Sequence, residues 1–257
     1  MSDRSLGTKT HKMTEGNPLR TILLFAIPMI LSNLFQQFYN VIDTVIVGKR
    51  LGTHALAAVG SASSITAVFV QLATGLALGG SIVIAQYFGA GKTEKIWQSM
   101  STSVLFSAGV ALVSTILAGA EPILKLVNTP KEIVGMGAGY LRLYFLGCIP
   151  IFVYNALNGV YVALGDSRTP LRFLIISSVL NVMLDLFFIM LLQWGVGGAA
   201  LATAISQFAA AALAMKDIPK LLKEFQHEPN APLFDKTLLF TMLRFALPSA
   251  LQQSIVS

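Results

Sequence analysis

Residues 173–192 read FLIISSVLNVMLDLFFIMLL, twenty positions carrying a single charge, Asp185. A run of that length and character crosses a bilayer as a helix, since each residue adds 1.5 Å against a hydrocarbon core of about 30 Å. A carboxylate within it costs several kcal/mol by insertion scales, so it faces protein, water, a cation or a basic partner rather than lipid. The same reading applies to Asp43, set in LRTILLFAIPMILSNLFQQFYNVIDTVIVG at residues 19–48. The remaining acids, from Asp3 to Asp235, fall in tails or between the apolar runs. Two isolated carboxylates in such surroundings point to transport rather than to a packed soluble core.

Further apolar runs begin near Ala55, Ile96, Ile133 and Val196, and one from Leu238 is still apolar at Ser257. With the two runs already quoted, the expected fold is all-α: a polytopic membrane bundle of six complete transmembrane helices and a truncated seventh. Composition agrees, with 54% apolar and only 12% charged residues where soluble domains carry about a quarter. Mean hydropathy is +0.71. Cys148 is the single cysteine, which excludes an internal disulfide. Basic residues sit in the N-terminal tail, at Lys92/Lys95 and Arg168/Arg172, and from Lys216 to Arg244, against Lys49, Arg50, Lys125 and Lys131 in the opposite loops. That bias predicts a cytoplasmic N-terminus in a cell (inner or plasma) membrane. It also disposes of a nucleic-acid partner, because the charges are spread over several short loops. The polar, basic first eighteen residues argue against a cleaved signal peptide.

A repeat organises the chain. Thr21, Leu23, Phe25, Ala26, Pro28 and Leu31 recur as Thr241, Leu243, Phe245, Ala246, Pro248 and Leu251, at a constant offset of 220. The expected division is a cytoplasmic tail (1–18), a six-helix transmembrane lobe (19–215), a basic cytoplasmic linker (216–237) and the start of a second lobe (238–257), with the rest of that lobe missing. Transporters are often built from such repeats, with substrate held between the halves. Gly75/Gly79 and Gly135/Gly139 have the spacing that lets helices approach closely, read first as contacts within the lobe. Pro28 and Pro150 should kink their helices.

The first helix carries a polar stripe, Asn33, Gln36, Gln37, Asn40, Asp43 and Thr44, at spacings that share one face. Interhelical glue is the plainer explanation of such a stripe, and a substrate-lined cavity the sharper one. At 1.5 Å per residue, Asp43 lies about 9 Å inside the outer end of helix one, and Asp185 and Thr203 each about 12 Å inside the ends of helices five and six. Asn181 is one turn from Asp185 on the same face. Asp43, Asn181, Asp185 and Thr203 can thus share one level, and carboxylate, amide and hydroxyl oxygens are the ligands a hard cation prefers. Two carboxylates brought together in low dielectric hold a proton or a cation such as Na⁺ between them. The competing arrangement is a structural ion pair with Arg142, reckoned about 15 Å deep in helix four. No enzymatic constellation stands out, and no cofactor beyond the coupling ion is expected. Gly91-Lys92-Thr93 imitates the end of a nucleotide-binding loop, but Gln86 stands where its first glycine should be.

Several stretches resemble the multidrug and toxic compound extrusion (MATE) transporters. They are Asp43-Thr44 with Gly48, Leu51-Gly52, Ala55-Leu56-Ala57-Ala58-Val59-Gly60, Gln86-Tyr87 with Gly89-Ala90-Gly91-Lys92, Gly165-Asp166-Ser167-Arg168-Thr169-Pro170, Asn181 with Asp185, and Gly197 to Thr203. The resemblance implies twelve helices in two lobes, a central cavity, and efflux of drug-like organic compounds driven by inward Na⁺ or H⁺. It implies cation binding at Asp43, Asn181, Asp185 and Thr203, while Asn33, Gln36, Gln37 and Asn40 would line the drug path. Alternatives are a lipid-linked oligosaccharide flippase, which would need several cationic side chains in its cavity, and a non-transporting membrane scaffold or inactive fragment.

Overall fold

The computed structural model describes residues 17–117, 120–223 and 232–256, and among them every regular element is helical. The tail residues 1–16 and the middle of the expected linker, 224–231, lie outside the described residues.

Helix α1 (Pro18–Gly89) opens on Asn17, whose side chain accepts from the N–H groups of Leu19 and Arg20, with Pro18 at the first position, where its missing N–H costs nothing. Its 72 residues would stretch about 108 Å if straight, several bilayer cores. The helix breaks at Gly52 (φ 82, ψ −177), a conformation that is essentially reserved for glycine. Its arms, 18–51 and 53–89, fold back on each other. Met29 and Thr74, like Asp43 and Val59, line one cleft from positions nearly equidistant from Gly52.

The chain continues through α2 (Glu94–Leu117), α3 (Ala120–Leu126), α4 (Lys131–Leu146), α5 (Cys148–Ala163) and α6 (Arg168–Asp185). A π-helical segment (Leu186–Leu191) extends α6, and α7 (Gly195–Leu222) and α8 (Lys236–Val256) follow. α7 therefore carries helix into the first residues of the stretch read as linker. Four of these helices are long and apolar enough to cross a membrane, and α4 with α5, bent by 50° at their junction, make a fifth. Counting the arms of α1 separately gives six crossings before α8. The structure is thus the all-α bundle of membrane helices that the apolar runs predict. The expected kink at Pro150 falls at the α4–α5 bend, where α4 has already ended and the proline sits in the first turn of α5.

Two large apolar cores and a smaller one at α8 hold the described residues together. One joins Val47 and Leu76 of α1 to Leu124, Leu141 and Phe152; the other, nearer Gly89, joins Ile84 to Ile96, Val160, Tyr161 and Leu221. Leu23, Phe38, Ile116, Met183 and Phe208 are exposed on the outside, as a surface in contact with lipid or further helices requires. α8 lies antiparallel along the second arm of α1. Gly75 and Gly79 meet it rather than a helix of the first six: an added Cβ would stand 2.5 Å from Ala250 Cβ and 2.6 Å from Ala246 Cβ. Gly135 and Gly139 face open space in a groove beside Tyr140.

Candidate functional site

Three helices build the site. On α6 the buried residues Ser177, Asn181 and Asp185 recur every four positions, one above the other. On α7 Thr203 is 8% exposed, and on the first arm of α1 Asp43 is half-buried. With its amide turned to place nitrogen toward carboxylate, Asn181 donates to Asp185 Oδ2 (3.0 Å) and accepts from the Thr203 N–H (3.2 Å). The carboxyl groups of Asp43 and Asp185 lie against one another. One oxygen of each, Oδ1, is buried without a hydrogen-bond partner. Two ionised carboxylates have only acceptors to offer, so side by side they repel unless one is protonated or a cation stands between them. Of the four residues expected to share a level, all four meet.

The pair opens on a cleft of about 600 Å³ between the arms of α1, α4, α5, α6 and α7. Asn33, Gln36, Asn40, Asp43 and Thr44 line it from the first arm, facing Ser63, Thr66, Gln71 and Thr74 of the second. Asn155, Asn158 and Gln207 add amides from the far side. Gln37 does not line the cleft; one position past Gln36 turns it about 100° away, and it accepts a hydrogen bond from Asn40 Nδ2 (3.3 Å). Asp43 is the one ionisable carboxylate in the lining, and no lysine or arginine joins it among the described residues.

Arg142 is not the partner of either acid. It pairs with Glu121 of α3 at 3.0 Å, both side chains largely exposed (67% and 48%). The reason is its azimuth: Arg142 is two residues from both Tyr140 and Tyr144, about 200° around α4 from the side chains that face the cleft. Glu121, placed by sequence between apolar runs, is the acid that satisfies it.

Three tyrosines complete the surroundings, and sequence reasoning passes over them. Tyr39, one turn before Asp43, lies against Thr203 and near both acids. Tyr140 also neighbours both acids, and its ring stacks on that of Tyr144 at 6.1 Å. The spacing of Tyr39 from Asp43, and of Tyr140 from Tyr144, is the available signal.

Comparison with known proteins supplies the rest. Residues 28–187 match the family described as MatE. The chain is 29% identical over 252 residues to the probable multidrug resistance protein YpnP of Bacillus subtilis, covering 97% of this chain and 56% of that one. It is 26% identical over 198 residues to the multidrug export protein MepA of Staphylococcus saprophyticus, covering 76% and 44%. Among solved structures, an outward-facing multidrug resistance MATE family transporter of the MOP superfamily superposes with a TM-score of 0.85 at 28% identity, over 95% of this chain and 55% of that one. The chain thus spans about half the length of the relatives it matches. A polar cleft set in a bundle of membrane helices and a family match over most of its length agree: the chain belongs to the MATE family of transporters.

Proposed function

We propose that this chain is the N-terminal lobe of a cation-coupled antiporter that exports amphipathic, often cationic, organic compounds by alternating access. The observation that carries the reading is the contact of Asp43 with Asp185 at the edge of a cleft whose remaining polar lining is neutral. A proton or Na⁺ held there, with Asn181 and Thr203 orienting the inner carboxylate, is the coupling ion. Its arrival neutralises Asp43 and so removes the attraction that keeps an organic cation in the cleft; drug and ion compete for one negative site. Asn33, Gln36 and Asn40 contact the drug through hydrogen bonds that suit many partners. The second wall of the cavity comes from a further lobe of the same polypeptide, and the basic loops set the N-terminus in the cytoplasm.

The cleft argues against the flippase alternative, because a pyrophosphate headgroup requires cationic side chains and the lining has none among the described residues. A scaffold would be indifferent to ions. The test is drug efflux from cells carrying the full-length protein with Asp43→Asn or Asp185→Asn, alongside the melting temperature of purified protein against Na⁺ and pH. Loss of efflux with either substitution, and a melting temperature that follows ion concentration, is the expected result. Undiminished efflux in both variants removes the coupling role.

A further inference from the structure

The first turn of α8 is held to the first six helices by more than packing. Asp235 accepts at Oδ1 from the N–H groups of Thr237 (2.7 Å) and Leu238 (3.2 Å), capping the helix. Its Oδ2 accepts from Gln98 Nε2 (3.3 Å), and its own N–H donates to Thr102 Oγ1 (3.1 Å), both on α2. One residue therefore both starts α8 and pins it to a neighbour far away in sequence. Beyond the pin, Leu238 and Met242 bury against Val83, and the seam then closes on Gly79 and Gly75 with almost no space to spare.

Place and chemistry suggest what the pin does. The seam occupies the Gly89 half of the second arm, the side that the basic loops assign to the cytoplasm. The repeat at offset 220 makes α8 the counterpart of the first helix, so this seam is the contact between the two repeats among the described residues. A cleft that opens inward must part the repeats on that side. Glycine–alanine packing is shape-dependent and all-or-none, whereas a bond from an amide to a half-exposed carboxylate is easily exchanged for water.

We propose that Asp235 is a cytoplasmic latch. Its bonds to Gln98 and Thr102 hold the seam between α8 and the second arm of α1 shut while the cleft faces outward, and they release when it opens inward. This rests on the alternating-access reading above, but its test needs no transport. In the full-length protein with Val83→Cys as reporter, Gln98→Leu and Thr102→Val together remove both pins and leave the Asp235 helix cap intact. Val83 is 2% exposed and faces α8, so its labelling by a membrane-impermeant maleimide from the cytoplasmic side reports seam opening. The loss of two hydrogen bonds should raise the labelling rate about tenfold, and Gln98→Leu alone by a smaller factor. Asp235→Asn, which still caps through its single oxygen and turns its amide N–H toward Gln98, whose own amide can turn to accept, should label close to the parent rate. Equal labelling in the parent, the double variant and Gln98→Leu overturns the latch; so does rapid labelling of the parent itself. Failure of the antiport reading shows separately, as efflux insensitive to Asp43→Asn.

Discussion

Replacing Asp185 by Asn removes an acid from the core of the proposed ion site, and the structure predicts that the protein becomes more stable for it when ions are withheld. The oxygen of the new amide can keep accepting from Asn181 Nδ2, which stands 3.0 Å from Asp185 Oδ2 in the parent, while the amide nitrogen donates toward Asp43. The contact between two acceptors becomes an ordinary donor–acceptor bond and no longer needs a bridging proton or cation. Two unit charges about 4 Å apart repel by about 4 kcal/mol at an effective dielectric constant of 20. Asp43 is only half-buried, so water screens part of that, and about 2 kcal/mol is the reasonable gain. For the parent protein, an ion at a hundred times its dissociation constant restores about 2.7 kcal/mol by linkage, a similar sum. The assay is thermal unfolding of the purified protein in detergent, titrated with Na⁺ and repeated across pH. In Na⁺-free buffer alkaline enough to strip the shared proton, the Asp185→Asn melting temperature should exceed the parent's by about 4–8 °C, taking 2–4 °C per kcal/mol, and should stay flat as Na⁺ is added. The parent should climb toward it. A variant that melts lower than the parent without ions, or that keeps the parent's Na⁺ response, would refute the claim that the carboxylates share a bridging ion.

Other contacts make equally definite demands. Gly52→Ala forces a Cβ onto a backbone at φ 82 and ψ −177 and should cost about 1–3 kcal/mol, seen as a lower melting temperature with ion response intact. Arg142→Gln should change stability by less than about 1 kcal/mol and leave efflux unaltered, because its exposed pair with Glu121 is remote from the acids. Asn181→Leu removes the donor to Asp185 and leaves that buried carboxylate oxygen without it. It should cost about 1–3 kcal/mol and weaken Na⁺ stabilisation, measured in the same melts. Gly79→Leu cannot fit against Ala246 and Met242 and should raise Val83→Cys labelling by prying α8 from α1.

What can be read from the chain alone divides along a physical line. Apolar runs and their breaks report membrane crossings because hydrophobic length maps directly onto bilayer thickness, and the positions of Asp43, Asn181, Asp185 and Thr203 along their helices can be counted from helix ends. Azimuth is harder. The same count that places Arg142 at depth says nothing of the side it faces, and only the neighbouring Tyr140 and Tyr144 reveal that it points away. Gln37 misleads for the same reason, by one residue of helical rotation. Gly75 and Gly79 announce a close helix contact, but which helix makes it depends on a segment more than 160 residues later in the chain. Tyr39 is legible as the residue one turn before Asp43, yet an aromatic among apolar neighbours carries no charge to draw notice. The single 72-residue helix broken only at Gly52 is beyond pattern reading, since helix continues to either side of the turn.

Asp185 is completely enclosed and presents nothing to the cleft, whereas Asp43 forms part of its wall. On the proposed reading, a cation entering from the cleft would reach the inner carboxylate past the outer one, and a bulky guest resting on Asp43 would close that way. Loading and unloading then form a queue rather than two independent equilibria. On the antiport proposed above, a guest resting on Asp43 would hold off the next ion until it leaves, and an ion in place would hold off the next guest.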